Sequence, residues 1–304
     1  MSTTLERPPA DLEGGVSRSA LLTLARIEAR RYARHPLFLL GVAALIGTAG
    51  AQLGNPSLAG DLSSFGFYAI VFIGLLGTLV GHHLARSTDV AREVVDIAAV
   101  PRATRTAAVC IACLVPAATA AAWMLVVAGV AWVVFPRGDV FWAGGLDPLT
   151  RAWVCLAAVV ACAGGPIFGV MVARWTRFPG SGLLAMVVLI AWVLLGTGGL
   201  AFDEPSRASM LLRLHAPAAT WMAWDGPPDD FPTYQPEGSP LAHLGYVTSL
   251  CVLGAVLAML RDAQGEQRRG LVRVLIGTVV VTAVCLALTA APEPVRTILV
   301  ERGR

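Results

Sequence analysis

The sequence predicts an all-α fold: a polytopic integral membrane protein with six or seven transmembrane helices, preceded by an amphipathic interfacial elbow helix. Three observations indicate this class. Hydrophobic residues make up 56% of the 304-residue chain and charged residues only 14%, whereas a soluble domain carries about 25% charged residues. Seven apolar runs approach or exceed the ~20 residues that a helix needs to cross a bilayer. Arginine crowds into alternate connections between these runs.

The seven apolar runs define a transmembrane domain over residues 37–291. Backbone groups in lipid must form their hydrogen bonds within the segment, so each run predicts a helix. No polar stretch between the runs is long enough to hold a soluble domain. The predicted spans are about 37–53, 65–84, 107–135, 152–172, 182–202, 241–260 and 271–291.

Residues 19–36 predict the elbow helix. At 100° per residue, Leu21, Leu24 and Tyr32 share one side and arginines lie on or beside the other. A basic amphipathic helix of this kind suits the inner membrane surface. Packing against another part of the molecule is the alternative. Pro36 then ends the helix where the first span begins.

The connections and breaks within the middle of the chain can also be predicted. The connection 84–106 is dense with charge, and its middle, Thr88–Ala99, predicts a short helix that Pro101 ends. The third run is too long for one perpendicular span, so it tilts or protrudes, and Pro116 predicts a kink in it. The glycine-rich stretch 164–169 of the fourth run permits a close approach of another helix.

The arginines predict the orientation. All 23 basic residues are arginine. An N-terminus in the cytoplasm and seven crossings place sixteen of them inside, which is the bias expected of membrane proteins. The polar residues 1–18 are then a disordered cytoplasmic tail, the acidic connection 203–240 lies outside, and the C-terminal tail 292–304 lies outside as well.

Several kinds of chemistry are excluded by composition. The chain has no lysine, so it cannot hold a Walker A phosphate loop or form a lysine Schiff base. The spans are almost free of ionisable residues, which proton- and ion-coupled carriers usually place at mid-membrane. We therefore expect a protein without ATPase motifs or enzymatic activity of its own, whose energy comes from outside the membrane.

His82 and His83 are the best candidates for a metal or haem site. They lie at the inner mouth of the second span, but adjacent helical residues point about 100° apart, so a shared metal would need a ligand from another helix. Interfacial histidines without a ligand are the alternative. Cys110 and Cys113 form a C-x-x-C on a predicted span, where they are expected to be small packing residues. No metal site is predicted.

Two segments resemble the membrane subunits of type-2 ABC exporters, the ABC-2 permease family. Leu24–Pro36, LARIEARRYARHP, resembles the family's cytoplasmic elbow helix. Ser87–Ala107, STDVAREVVDIAAVPRATRTA, is similar to the coupling helix between its second and third spans, with Ser87–Thr88 where a Gly–Thr pair is common. The matching elbow residues are Glu28, Arg30, Arg31 and Arg34. The matching coupling residues are Arg92, Glu93, Asp96, Pro101 and Arg102.

The resemblance implies a half-transporter in the cell membrane. Two such subunits would pair as a homo- or heterodimer, and each would dock a separate ABC-type ATP-binding subunit that holds ATP and magnesium. This chain would carry no cofactor and bind no nucleic acid. The path would run between the paired subunits along the first, second and fifth spans, whose main polar residues are Tyr68, Thr78 and Thr197. These spans are otherwise apolar, so we expect a hydrophobic or amphiphilic substrate.

Two other functions remain open from the sequence. The chain could be a non-transporting membrane subunit that scaffolds or regulates a complex in contact with membrane lipid. It could also be an integral-membrane enzyme that depends on His82 and His83.

Overall fold

A computed structural model of the protein describes residues 16–53, 62–90, 100–134, 148–197, 215, 223–224, 233–235, 239–289 and 296–298. Nearly all of this described part is helical, which confirms the predicted all-α fold. The described helices are α1 (Val16–Ala33), α2 (Pro36–Leu53), α3 (Leu62–Ala69), a π-helical segment (Ile70–Leu75), α4 (Leu76–Val90), α5 (Arg102–Ala112), α6 (Leu114–Val134), α7 (Pro148–Trp175), α8 (Ser181–Thr197), α9 (Pro240–Leu260) and α10 (Gly265–Thr289).

Proline marks the start of three helices, α2 at Pro36, α7 at Pro148 and α9 at Pro240. Proline suits the first turn because the amide hydrogen it lacks would have no partner there. At α9 the side chain of Ser239 accepts a hydrogen bond from the amide of Ala242 at 3.2 Å. The starts of these helices are therefore set locally by the sequence.

The second predicted span is longer and less regular than expected. It runs from α3 through the π-helical segment Ile70–Leu75 to the end of α4 at Val90. A π-helical turn holds an extra residue, and such turns are frequent at functional sites. The predicted short helix Thr88–Ala99 falls outside the described residues from position 91 onward.

The third predicted span is broken three residues before the expected kink. A turn at Cys113 separates α5 from α6, whereas we expected the kink at Pro116. A proline ring clashes with the carbonyl four residues earlier and leaves that carbonyl without its helical partner. Here that carbonyl belongs to Ala112, so the distortion appears one turn before the proline.

Helix α7 makes close backbone contacts with the π-helical segment and with α4. A Cβ atom added to Gly165 would collide with the backbone of Gly74, and one added to Gly169 would collide with the backbone of Thr78. Small residues four apart let two helices approach until their backbones touch, which is how helices associate in lipid. The close approach predicted for stretch 164–169 is confirmed.

Helix α7 lies at the centre of the bundle. It contacts α3, the π-helical segment, α4, α6, α8 and α9. The largest fully buried side chains include Tyr32, Leu45, Ile73, Val170 and Val247, which come from five different segments of the chain.

Three short strands form a small antiparallel sheet in the order β1 (Ala223–Trp224), β2 (Thr233–Gln235) and β3 (Arg296–Ile298). In it Tyr234 pairs with Ala223 on one side and Thr297 on the other. We did not predict these strands. They bring the chain after α10 beside the chain before α9. Helices α9 and α10 therefore form a hairpin, and the end of α10 lies at the same end of the bundle as the start of α9.

The number of apolar helices agrees with a multi-pass membrane protein. Among the described residues, five helical segments could cross a membrane by length and composition, or six if the bent pair formed by α1 and α2 counts as one span. The predicted span 182–202 corresponds to α8, a shorter apolar helix that is described only to Thr197. Its remaining residues lie outside the described part of the chain.

The hairpin of α9 and α10 predicts where the end of the chain lies. Since residues 296–298 pair with 233–235, a reporter fused after Arg304 should lie on the same side of the membrane as one inserted in the connection 203–240. We expect both to lie on the opposite side from a reporter at residue 15. A C-terminal reporter found on the N-terminal side would show that one predicted span does not cross.

Candidate functional site: the arginine-rich end

One end of the bundle brings the end of the elbow close to the described parts of the coupling segment, and we call it the arginine-rich end. It is defined by Arg31, Arg86, Arg105, Arg174 and Arg261. At this end α1 meets α2, α4 ends, α5 begins, α7 turns into α8 and α9 turns into α10. Four separate connections therefore lie close to one another.

The elbow is anchored to the bundle on one face. Helix α1 bends by 57° into the next helix and packs against α5. Its buried residues, Ala25, Glu28 and Tyr32, recur every three or four positions, as one helix face does. Our expectation that Leu21, Leu24 and Tyr32 together face lipid was wrong for Tyr32. That ring is fully buried and packs edge-on against Phe38 with centroids 5.3 Å apart.

Glu28 and Arg31 join the elbow to the end of α4. The guanidinium of Arg31 donates to both carboxylate oxygens of Glu28, at 2.9 and 3.0 Å. Its other terminal nitrogen donates to the hydroxyl of Ser87 at 3.0 Å. The buried carboxylate is thereby satisfied, and the elbow is tied to the last turns of α4. The other two predicted elbow arginines, Arg30 and Arg34, are exposed.

The structure describes both ends of the predicted coupling segment, residues 85–105. Arg92, Glu93 and Asp96 lie outside the described residues. Pro101 precedes the first turn of α5, and both it and Arg102 are exposed. The described residues on both sides of positions 91–99 thus lie at the arginine-rich end, and those that precede α5 are exposed at Pro101 and Arg102.

A polar contact that we did not predict ties the start of α5 to two other helices. The buried hydroxyl of Thr106 donates to the carboxylate of Asp262 at 2.6 Å. The same oxygen lies 3.5 Å from Nε of Arg174, whose side chain is only 7% exposed. Asp262 belongs to the turn between α9 and α10. The helix that follows the coupling segment is therefore linked to α7 and to that turn.

Arg86 and His82 connect α4 to the turn between α7 and α8. Arg86 donates to the carbonyl oxygens of Thr176 and Phe178, at 3.2 and 2.9 Å. His82 shares a hydrogen bond of 2.8 Å with Ser181, the first residue of α8. Helix α4, which leads into the coupling segment, is thus hydrogen-bonded to the turn between α7 and α8 and to the start of α8.

The two adjacent histidines point in different directions, as helix geometry predicts. His82 is buried against Ser181, whereas His83 is exposed and its ring centroid lies 5.4 Å from that of His35. Partial burial lowers the pKa of His35 from its ordinary value, and the neighbouring His83 lowers it further. Among the described residues no group of three or more His, Cys, Asp or Glu could hold a metal ion.

The predicted path residues do not share one surface. Thr78 is fully buried in the contact between α4 and α7 of this chain. A path between two subunits therefore stays a prediction at this position. Tyr68 is partly exposed and stacks on Phe72 with centroids 6.3 Å apart. Thr197 is the last described residue of α8.

A search of protein-family models, of curated proteins and of solved structures finds no match to this chain. Its function is therefore inferred from its own residues and geometry, together with the resemblance of its elbow and coupling segments.

Proposed function

We propose that the chain is the membrane-spanning permease subunit of an ABC exporter. It moves a hydrophobic or amphiphilic substrate with energy from ATP hydrolysed by a separate subunit. The observation that supports this most is the set of contacts around the coupling segment. Ser87, at its start, is bonded to the elbow through Arg31, and Thr106, just beyond its end, is bonded to Asp262. Movement of this segment would therefore be transmitted to α1, to α7 and to the turn between α9 and α10.

The arginine-rich end faces the cytoplasm in this proposal. Cytoplasmic connections of membrane proteins carry an excess of basic residues, and ATP is supplied on that side. Exposed Pro101 and Arg102 then mark a surface that an ATP-binding subunit can reach. The cell membrane is the expected location.

A second permease subunit completes the path. Helix α4 packs against both α2 and α8, so the predicted first, second and fifth spans lie side by side. The outer faces of the flanking helices carry exposed apolar residues: Leu39, Leu40 and Ile46 on α2, and Leu183, Leu184, Val187 and Val188 on α8. A surface of this composition favours contact with lipid, with another subunit and with an apolar substrate.

Charge reversal in the coupling segment tests the proposal. Glu93 and Asp96 lie three residues apart and could share one helix face. The double variant Glu93→Arg with Asp96→Arg should insert normally but lose docking of the ATP-binding subunit, with transport reduced at least tenfold. Stimulated ATP hydrolysis and substrate movement are measured in proteoliposomes.

The matched control reverses two acidic residues of the opposite connection, Asp229→Arg with Asp230→Arg, and should leave transport within about twofold of the unchanged protein. Survival of both transport and stimulated hydrolysis in the Glu93 and Asp96 variant would show that this segment is not the coupling element. A chain that binds an ATP-binding subunit but moves no substrate would favour the scaffold function.

A further inference from the structure

An apolar cavity of about 220 Å³ lies between α7, α8 and α9, with the π-helical segment at its back. Its wall includes Leu75, Phe168, Trp192, Leu250, Leu253 and Leu257. Gly164 and Gly165 of α7 and Gly254 of α9 also line it. No charged side chain lines it. Such a space is unfavourable for water and favourable for hydrocarbon.

The cavity is elongated along the helices. On α7 its lining extends from Ala161 to Met171, and on α9 from Val247 to Leu257. Ten residues of helix correspond to about 15 Å. A narrow apolar space of this length, parallel to the spans, has the shape of an extended hydrocarbon chain.

The cavity opens towards the surrounding lipid. Helices α8 and α9 both pack against α7, but in the described part of the chain they scarcely touch each other. Trp192, Leu253 and Leu257 lie along this gap and are partly exposed. A chain from the bilayer can therefore enter sideways without crossing a polar layer.

Cationic and aromatic groups lie at the arginine-rich end of the same gap. The indole nitrogen of Trp175 donates to the carbonyl of Leu257, a lining residue, at 3.0 Å. Arg177 follows Trp175 by two residues, and Arg261 follows Leu257 by one helical turn. Both arginines are exposed, and within the described residues neither has a hydrogen-bond or ion-pair partner.

The acidic residue that follows Arg261 in the sequence has other partners. Asp262 follows Arg261, but its carboxylate faces Thr106 and Arg174. Tryptophan and arginine at the end of a span are typical of the headgroup level of a membrane. The two free guanidinium groups are therefore placed where a lipid phosphate lies.

We propose that this gap is a binding site for a bilayer phospholipid. One acyl chain fills the cavity, and the headgroup phosphate binds Arg177 and Arg261. The second acyl chain stays in the bilayer. Because two cations act on the headgroup, the site prefers an anionic phospholipid to a zwitterionic one. The site requires only that the chain spans a membrane, so it is independent of the proposed transport function.

Native mass spectrometry of the full chain in detergent tests the site, with dioleoyl phosphatidylglycerol and dioleoyl phosphatidylcholine as probes. We expect one tightly held lipid and tighter binding of phosphatidylglycerol. Leu253→Trp, which fills the cavity, should weaken binding at least tenfold. Val252→Trp, on the exposed side of the same helix turn, is the matched control and should change it less than twofold.

The headgroup contact has its own pair of variants. Arg177→Ala with Arg261→Ala should remove the preference for phosphatidylglycerol, whereas Arg268→Ala with Arg269→Ala, two exposed arginines of α10, should keep it. Equal effects of the two pairs would overturn the headgroup assignment. Unchanged lipid retention in Leu253→Trp would overturn the cavity as the site of the chain.

If Leu253→Trp does not fold, tryptophan fluorescence gives a second test of the cavity. The chain has eight tryptophans, and a variant that keeps only Trp192 reports on the cavity directly. Phosphatidylglycerol with brominated acyl chains, added to this variant in detergent, should quench its emission with saturation near one lipid per chain. Quenching that rises linearly without saturation would mean general partition into the micelle and would contradict the proposal.

Discussion

Replacing Gly169 by alanine should strongly destabilise the protein. An added Cβ would lie 2.9 Å from the carbonyl carbon of Thr78 and 3.0 Å from the amide nitrogen of His82. Both are backbone atoms of α4, so no side chain can rotate away. The two central helices would have to separate, and overpacking of this kind costs about 3 kcal/mol. The measurement is thermal unfolding of the purified chain in detergent.

Gly129→Ala is the matched control for this change. Gly129 also lies inside a helix, α6, but nothing approaches an added Cβ within 4 Å. Alanine lowers the entropy of the unfolded chain, so this variant should be as stable as the parent or more stable by about 0.5–1 kcal/mol. Equal stability of the Gly169→Ala variant and the parent would contradict the close contact between α4 and α7.

Replacing Asp262 by alanine should also cause a large loss of stability. The change leaves the hydroxyl of Thr106 without its acceptor and the nearly buried Arg174 without this carboxylate. Removing one partner of a buried ion pair costs about 3–5 kcal/mol. Because the Asp262 side chain is itself 16% exposed, we expect the lower end, about 3 kcal/mol, as a reduced unfolding temperature.

Two control variants separate the contributions of Asp262. Asp262→Asn keeps an acceptor for Thr106 and should recover about 1 kcal/mol, the value of one hydrogen bond. Glu266→Ala removes an exposed carboxylate four residues later and should change stability by less than about 0.5 kcal/mol. Similar losses in Asp262→Ala and Glu266→Ala would show that the contact with Thr106 and Arg174 contributes little.

Most of the fold could be predicted because hydropathy reports directly on which segments can lie in lipid. The predicted spans from 37–53 to 271–291 correspond to helices whose ends differ by a few residues. Periodicity was less informative for the elbow, because it does not distinguish a helix face that packs on protein from one that faces lipid. The buried face of the elbow consists of Ala25, Glu28 and Tyr32. Pro116 predicted a kink in the third span, but the sequence pattern did not show that the helix would break at Cys113, three residues before the proline.

The contacts of the arginine-rich end were harder to predict because they join residues far apart in the sequence. Thr106 and Asp262 are 156 positions apart, and no sequence pattern pairs them. One signal was present: Asp262 is an acidic residue beside Arg261 in a tight connection between two apolar runs. The π-helical segment beside the apolar cavity could not be predicted, because Ile70–Leu75 has no polar residue that would distinguish it from the rest of the span.

The central claim is that an ATP-binding subunit docks on the arginine-rich end. Its most direct test is site-specific photocrosslinking in native membranes. A photoreactive side chain is placed at Arg102, which is exposed beside the coupling segment, and in a second variant at Leu149, which is exposed at the opposite end of α7. The account predicts that position 102 is crosslinked to an ATP-binding subunit and that position 149 is not. Absence of that subunit from the products at position 102, or its equal capture at position 149, would contradict the account.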